Sequence, residues 1–102
     1  MLENATVVER VSFKVNKGFS PEDGKKAMLM LNQFVTMQPG YVARVTSLDK
    51  TDMFLDIVYW ETLESAEAAT KNIMKEESLS EVFDIIDRES MVFGHFEVFN
   101  TH

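Results

Sequence analysis

The chain has 102 residues, enough for one domain over 1–102 and no more. Its net charge of −7 excludes the basic footprint of a nucleic-acid binder and disfavours an anionic membrane surface. It has no cysteine, which rules out disulfides, thiolate nucleophiles and zinc–sulfur sites.

The opening "MLENATVVER" has no basic region followed by an apolar run, so no signal peptide is expected. No apolar stretch approaches the roughly 18 residues of a membrane span. A cytoplasmic location is the resulting expectation.

Residues 7–15, "VVERVSFKV", alternate with period two. Val7, Val11, Phe13 and Val15 point one way, and Arg10, Ser12 and Lys14 the other, the mark of a half-buried strand. Glu9 breaks the pattern as an acid on the apolar side. "NKGFSPEDG" then ends the strand and begins a helix. Ser20 is placed as N-cap, Pro21 as first helical residue and Asp23 as the acid of a capping box. Ala27, Leu31, Phe34 and Val35 form one apolar helical face, widened by Met28, Met30 and Met37. "QPG" at 38–40 stops that helix.

"YVARVTSL", 41–48, predicts a second strand, "DKTD" a turn, and "MFLDIVYWET", 53–62, a third strand paired to the second as a hairpin. Thr62 caps a predicted helix running to about Glu77. Ser78 and Glu81 have the spacing of a further capping box. Leu79, Val82, Phe83 and Ile86 give a short third helix, and "SMVFGHFEVF", 90–99, a last strand. The order β-α-β-β-α-(α)-β is the ferredoxin-like split βαβ pattern, an α+β fold. Right-handed crossovers put both helices on one face of an antiparallel sheet.

The other sheet face would be wet in a monomer, yet strands three and four are apolar on both parities. Met53, Leu55, Ile57 and Tyr59 oppose Phe54, Asp56, Val58 and Trp60. Helices cover one parity. A second copy of the chain is the economical cover for the other, so a homodimer is expected.

The stretches "QPGYVARVTSL" and "MFLDIVYWETLESAEAA", with the element order and length, resemble the antibiotic-biosynthesis-monooxygenase domains of the dimeric α+β barrel superfamily. The resemblance implies a homodimeric barrel and a pocket in each subunit between sheet and helices. It implies cofactor-independent oxygenation of aromatic, electron-rich substrates as one activity, and haem degradation as another. The haem-degrading branch uses an asparagine on strand one, a tryptophan ending strand three and a histidine on the next helix. Trp60 matches the tryptophan, but Glu9 stands in the asparagine position and Ala69 or Thr70 where the histidine would fall. Haem ligation in the family manner is therefore not expected.

The resemblance places Trp60 on the helix-facing side, where its indole could stack on a planar ligand. Asp56 shares that strand face, and Glu9 shares the face of Val11 and Phe13. Partial burial raises a carboxyl pKa, which suits proton removal from a phenol-like substrate. The plainer alternative for either acid is a structural pair with Arg10, Arg44 or Lys14. His95, the one histidine inside a predicted element, is a third acid–base candidate. Phe34, Phe54 and Arg44 complete the expected ligand wall, Arg44 as an anchor for an anion or a bridge to the partner. One internal histidine with scattered acids is no metal signature, and no metal or other cofactor is expected. Two readings follow: a monooxygenase acting on a small aromatic or quinol-like metabolite, with Asp56, Glu9 or His95 taking the proton, and a non-catalytic dimeric module holding a small hydrophobic ligand.

Overall fold

A computed structural model describes residues 2–102. The elements run β1 (Val7–Phe13), α1 (Pro21–Val35), β2 (Tyr41–Leu48), β3 (Phe54–Trp60), α2 (Leu63–Met74), α3 (Ser80–Ile85) and β4 (Val92–Glu97). The four strands form one antiparallel sheet in the order β2-β3-β1-β4. This is the ferredoxin-like α+β arrangement that the element order predicts. Among the described residues, no helix is long and apolar enough to cross a membrane.

Local chemistry fixes the helix starts. Ser20 Oγ accepts from the Asp23 N–H at 3.2 Å, and the Asp23 carboxylate accepts from the Ser20 N–H at 2.9 Å, closing the predicted capping box. Thr62 Oγ1 caps α2 by accepting from the Ser65 N–H. α1 buries Ala27, Met28, Leu31 and Val35 against the sheet, and α2 buries Ala66 and Ala69. Phe13, Phe54, Val58 and Trp60 meet them from the strands, so the parity of β3 expected to face the helices does so.

Four local features differ from the sequence pattern. α2 ends at Met74 rather than near Glu77. The Ser78–Glu81 capping box does not form, because residues Glu77–Leu79 make a 3₁₀ turn that runs directly into α3. Ser78 Oγ instead donates to the Glu76 carboxylate. β1 stops at Phe13, with Val15 retaining one bridge to Ile86. β4 starts only at Val92, because Asp87 caps a 3₁₀ turn over Arg88–Ser90.

A bulge in β2 has the largest effect on the site. Tyr41 pairs with Trp60 and Ala43 with Tyr59, leaving Val42 as the extra residue. Strict alternation would send Tyr41 and Arg44 to opposite faces. The bulge turns both toward the helices, where Tyr41 meets Trp60 edge-on at 6.2 Å between ring centroids.

Candidate functional site

A cavity of about 450 Å³ lies between the helix-facing side of the sheet and the helices. That is within the usual range for small-molecule sites. Its floor is Glu9, Val11, Asp56, Val58 and Trp60 from the sheet. Met28, Leu31 and Val35 of α1, and Ala69, Thr70 and Ile73 of α2, form the sides. Met74, Arg88, Met91 and Phe93 border it as well and are exposed, so they ring its mouth. A second depression, of about 520 Å³, lies between the chain ends and the outer side of the sheet, with Val8 and Tyr59, and holds none of the candidate acids.

Glu9 sits on the central strand β1, opposite Val58 on one side and His95 on the other. It is buried, at 9% exposure, and its Oε1 lies 2.9 Å from His95 Nε2. Burial holds the carboxyl above the usual glutamate range, and the neighbouring Asp56 charge adds to the effect. The hydrogen bond and charge of His95, and the charge of Arg44, act in the opposite direction without cancelling it. His95 does not border the cavity. It stands behind Glu9, edge-on to Phe93 at 5.1 Å. Ionised Glu9 accepts from Nε2–H, and neutral Glu9 donates to an unprotonated Nε2, so the pair suits proton exchange in either state.

Asp56 borders the same cavity but is bound from behind. Arg44 Nε and Nη2 donate to its two oxygens, each at 2.9 Å. Arg44 Nη1 donates to the Met28 carbonyl at 2.9 Å and to Asn32 Oδ1 at 2.6 Å, and Nη2 also reaches Met28 Sδ. All five guanidinium N–H groups are thereby occupied, and the Arg44 side chain is 3% exposed. Arg44 is not part of the cavity wall. It ties β2 and β3 to α1, the structural pairing foreseen as the alternative for Asp56.

Trp60 ends β3 with 1% exposure and borders the cavity. Its Nε1 is the one buried side-chain nitrogen or oxygen among the described residues with no hydrogen-bond partner. A buried indole N–H normally finds an acceptor, so this donor is an exception, and the nitrogen itself is sealed from solvent. Phe54 and Phe34 do not border the cavity. Phe54 stacks on Phe13 at 5.2 Å with nearly parallel rings, and Phe34 packs at the edge of the core.

The structure thus brings Glu9, Asp56, Trp60 and, at one remove, His95 together, and sets Phe34, Phe54 and Arg44 outside the wall. The helix positions where the haem-degrading pattern needs a histidine hold Ala69 and Thr70, both on the cavity wall, and the Thr70 hydroxyl donates to the Ala66 carbonyl. These residues do not fit haem ligation from that helix. Among the described residues, no group of three metal-ligating side chains occurs. Arg88 at the mouth went unnoticed in the sequence. In "DRES" it reads as a solvated charge between two acids, and only the turn that carries it shows otherwise.

This geometry defines the class by fold: a ferredoxin-like α+β domain with a cavity between sheet and helices. No protein-family model and no curated protein sequence matches the chain. A variant of SnoaB, a cofactor-independent oxygenase from Streptomyces nogalater, superposes with a TM-score of 0.75 at 14% identity, over 95% of this chain and 96% of that one. A monooxygenase from the gene ActVA-Orf6 of Streptomyces coelicolor, solved with nanaomycin D, gives 0.67 at 14% identity over 97% and 92%. A dimeric ferredoxin-like protein from an uncultured marine organism gives 0.72 at 10% identity over 100% and 95%. At these identities the likeness is one of fold.

Proposed function

We propose that the protein is a cofactor-independent monooxygenase acting on a small aromatic or quinol-like metabolite, and that it works as a homodimer. The observation that carries this reading is the apolar cavity with Glu9 at its floor, backed by His95. Glu9 takes a proton from the acidic C–H or O–H of a phenolic substrate, and its raised pKa brings it nearer the substrate's own. The Glu9–His95 pair holds that proton and returns it to the peroxide anion formed when the carbanion adds to dioxygen. Asp56, with both oxygens accepting from Arg44, is a fixed acceptor that orients the substrate rather than a mobile base. Trp60 lends its apolar indole body to the wall against which an aromatic substrate packs.

The substrate carbanion supplies the electrons. It adds to dioxygen to give a hydroperoxide, which loses water to leave a carbonyl. One oxygen atom enters the product and the other leaves as water, with no external reductant. The apolar wall excludes bulk water from the carbanion. The fold neighbours SnoaB and ActVA-Orf6 support the reaction type.

The test is oxygen uptake with a panel of dihydroxyaromatics and anthrone-like compounds, run on wild type and Glu9→Gln. Uptake with at least one compound, reduced about 100-fold or more in the variant, is expected for loss of a general base. Binding without uptake across the panel would remove the monooxygenase reading and leave a ligand-binding module.

A further inference from the structure

The cavity floor carries two acids on one sheet face, and a single arginine holds only one of them. Val11 pairs with Asp56 and Glu9 with Val58, so the two acids stand diagonally across β1 and β3. Diagonal neighbours on a sheet are about 7–8 Å apart at the backbone, within electrostatic reach. Both are mostly buried and both border the cavity. Carboxylates so placed compete, because ionising one disfavours ionising the other. The position of the nearest cation therefore decides which of them is left to exchange a proton.

Arg44 is not placed by Asp56 alone. Its Nη1 donates to two acceptors one turn apart on α1, the Met28 carbonyl and Asn32 Oδ1, while Nε and Nη2 donate to Asp56. With these N–H groups occupied and the side chain 3% exposed, the guanidinium cannot swing across to Glu9 without breaking bonds to both α1 and β3. Few other charges face Glu9. His95 meets it from β4, and Glu97, two residues further on, is exposed. The cavity walls from α1, α2 and α3 carry no charged side chain, and Arg88, flanked in sequence by Asp87 and Glu89, stands at the mouth.

We propose that Arg44 is a positioning residue that selects the base: anchored on α1, it keeps its charge on Asp56 and leaves the proton to Glu9. Arg44 lies outside the cavity wall and acts only through the two acids. This role rests on the monooxygenase reading only for what Glu9 does with its proton, not for which acid carries it. The Asp56 charge pushes the Glu9 pKa up and the Arg44 charge pulls it down, so the two partners act on Glu9 with opposite sign.

The experiment is carbon-13 NMR of the intact chain labelled at glutamate Cδ, from pH 4 to pH 8. The Glu9 signal is the one lost in Glu9→Gln. Wild type is compared with Arg44→Gln, Arg44→Lys, Asp56→Asn and the double variant Arg44→Gln/Asp56→Asn. Glu9 is expected to titrate at higher pH in Arg44→Gln and at lower pH in Asp56→Asn, where the released guanidinium acts on it unopposed. The double variant is expected between the two, and Arg44→Lys, which keeps the charge, closer to wild type than Arg44→Gln. An Arg44 that only holds α1 to the sheet would lower the urea midpoint when removed, without this opposition of sign. Shifts of Glu9 in the same direction in both single variants, or in neither, overturn the proposal. If Arg44→Gln does not fold, Asp56→Asn and the double variant decide, and a double variant that titrates no higher than Asp56→Asn overturns it. Oxygen uptake separates the two readings. Opposed shifts without uptake by wild type leave Arg44 its role and remove the oxygenase. Uptake with an unmoved Glu9 does the reverse.

Discussion

Glu9 and Asp56 show at the level of single residues how similar acids on one sheet face come to differ. Asp56 has a guanidinium on both its oxygens, whereas Glu9 has an imidazole on one and burial around the rest. Burial raises the folded-state pKa of Glu9 above its unfolded value. The neutral form is thus favoured by folding, and its contribution to stability is full below the ordinary glutamate range and lost as pH rises through the raised value. Glu9→Gln mimics the neutral carboxyl and cannot titrate. Urea midpoints measured from pH 4 to pH 7 should therefore nearly coincide for the two proteins at the acid end, with wild type falling behind the variant as pH rises. A gap that stays constant across the range would contradict the burial argument. Asp23 and Asp49, whose hydrogen bonds lower their pKa values, titrate alike in both proteins and drop out of the difference. Alternation put Asp56 and Trp60 on one strand face and Glu9 on the face of Val11 and Phe13, and the family resemblance turned Trp60 toward the helices; the register that sets Glu9 opposite Val58 came only with the structure. Arg88 could not be placed from the sequence, since its position depends on bonds between Lys14 and a turn more than 70 residues away.

Among the elements, α1 is held to the sheet by a near approach at Gly24. A Cβ there would lie 2.5 Å from Phe54 Cζ and 2.9 Å from Val15 Cγ1. The Phe54 ring cannot swing clear, because it is stacked on Phe13. Gly24→Ala would gain about 1 kcal/mol of helix propensity, yet overpacking of a filled contact costs about 1–3 kcal/mol. The variant is expected to be destabilised by about 1 kcal/mol in urea unfolding; a more stable variant would show that α1 can lift off β3 freely. Helices announced by a side-chain cap and a stop signal, such as α1 with Ser20 and "QPG", were legible in the sequence. The start of α3 was misread because the 3₁₀ turn over Glu77–Leu79 satisfies it through the backbone, which leaves no side-chain signature. The β2 bulge was equally silent, since Val42 looks like any strand residue.

At the scale of the whole molecule, the outer side of the sheet is the face on which the proposed homodimer would form. Val45, Val92 and Phe96 lie on that side, each more than half exposed, beside Leu55, Ile57 and Tyr59. Arg10 and Ser12 of β1 interrupt this face, yet so many exposed apolar side chains on one side of a sheet suit an interaction site. Sedimentation at micromolar concentration is expected to give twice the 11.7 kDa chain mass, and Phe96→Glu to shift it toward the monomer. A wild-type monomer would refute the assembly. The placement of β1 has a different consequence, in the order of synthesis. Glu9 leaves the ribosome 86 residues before His95, yet they sit side by side across β1 and β4. β1 must wait with one edge open until the final strand arrives. The acid–base pair is a long-range contact that no truncated nascent chain can make, so any catalysis it supports begins only when the last strand has docked.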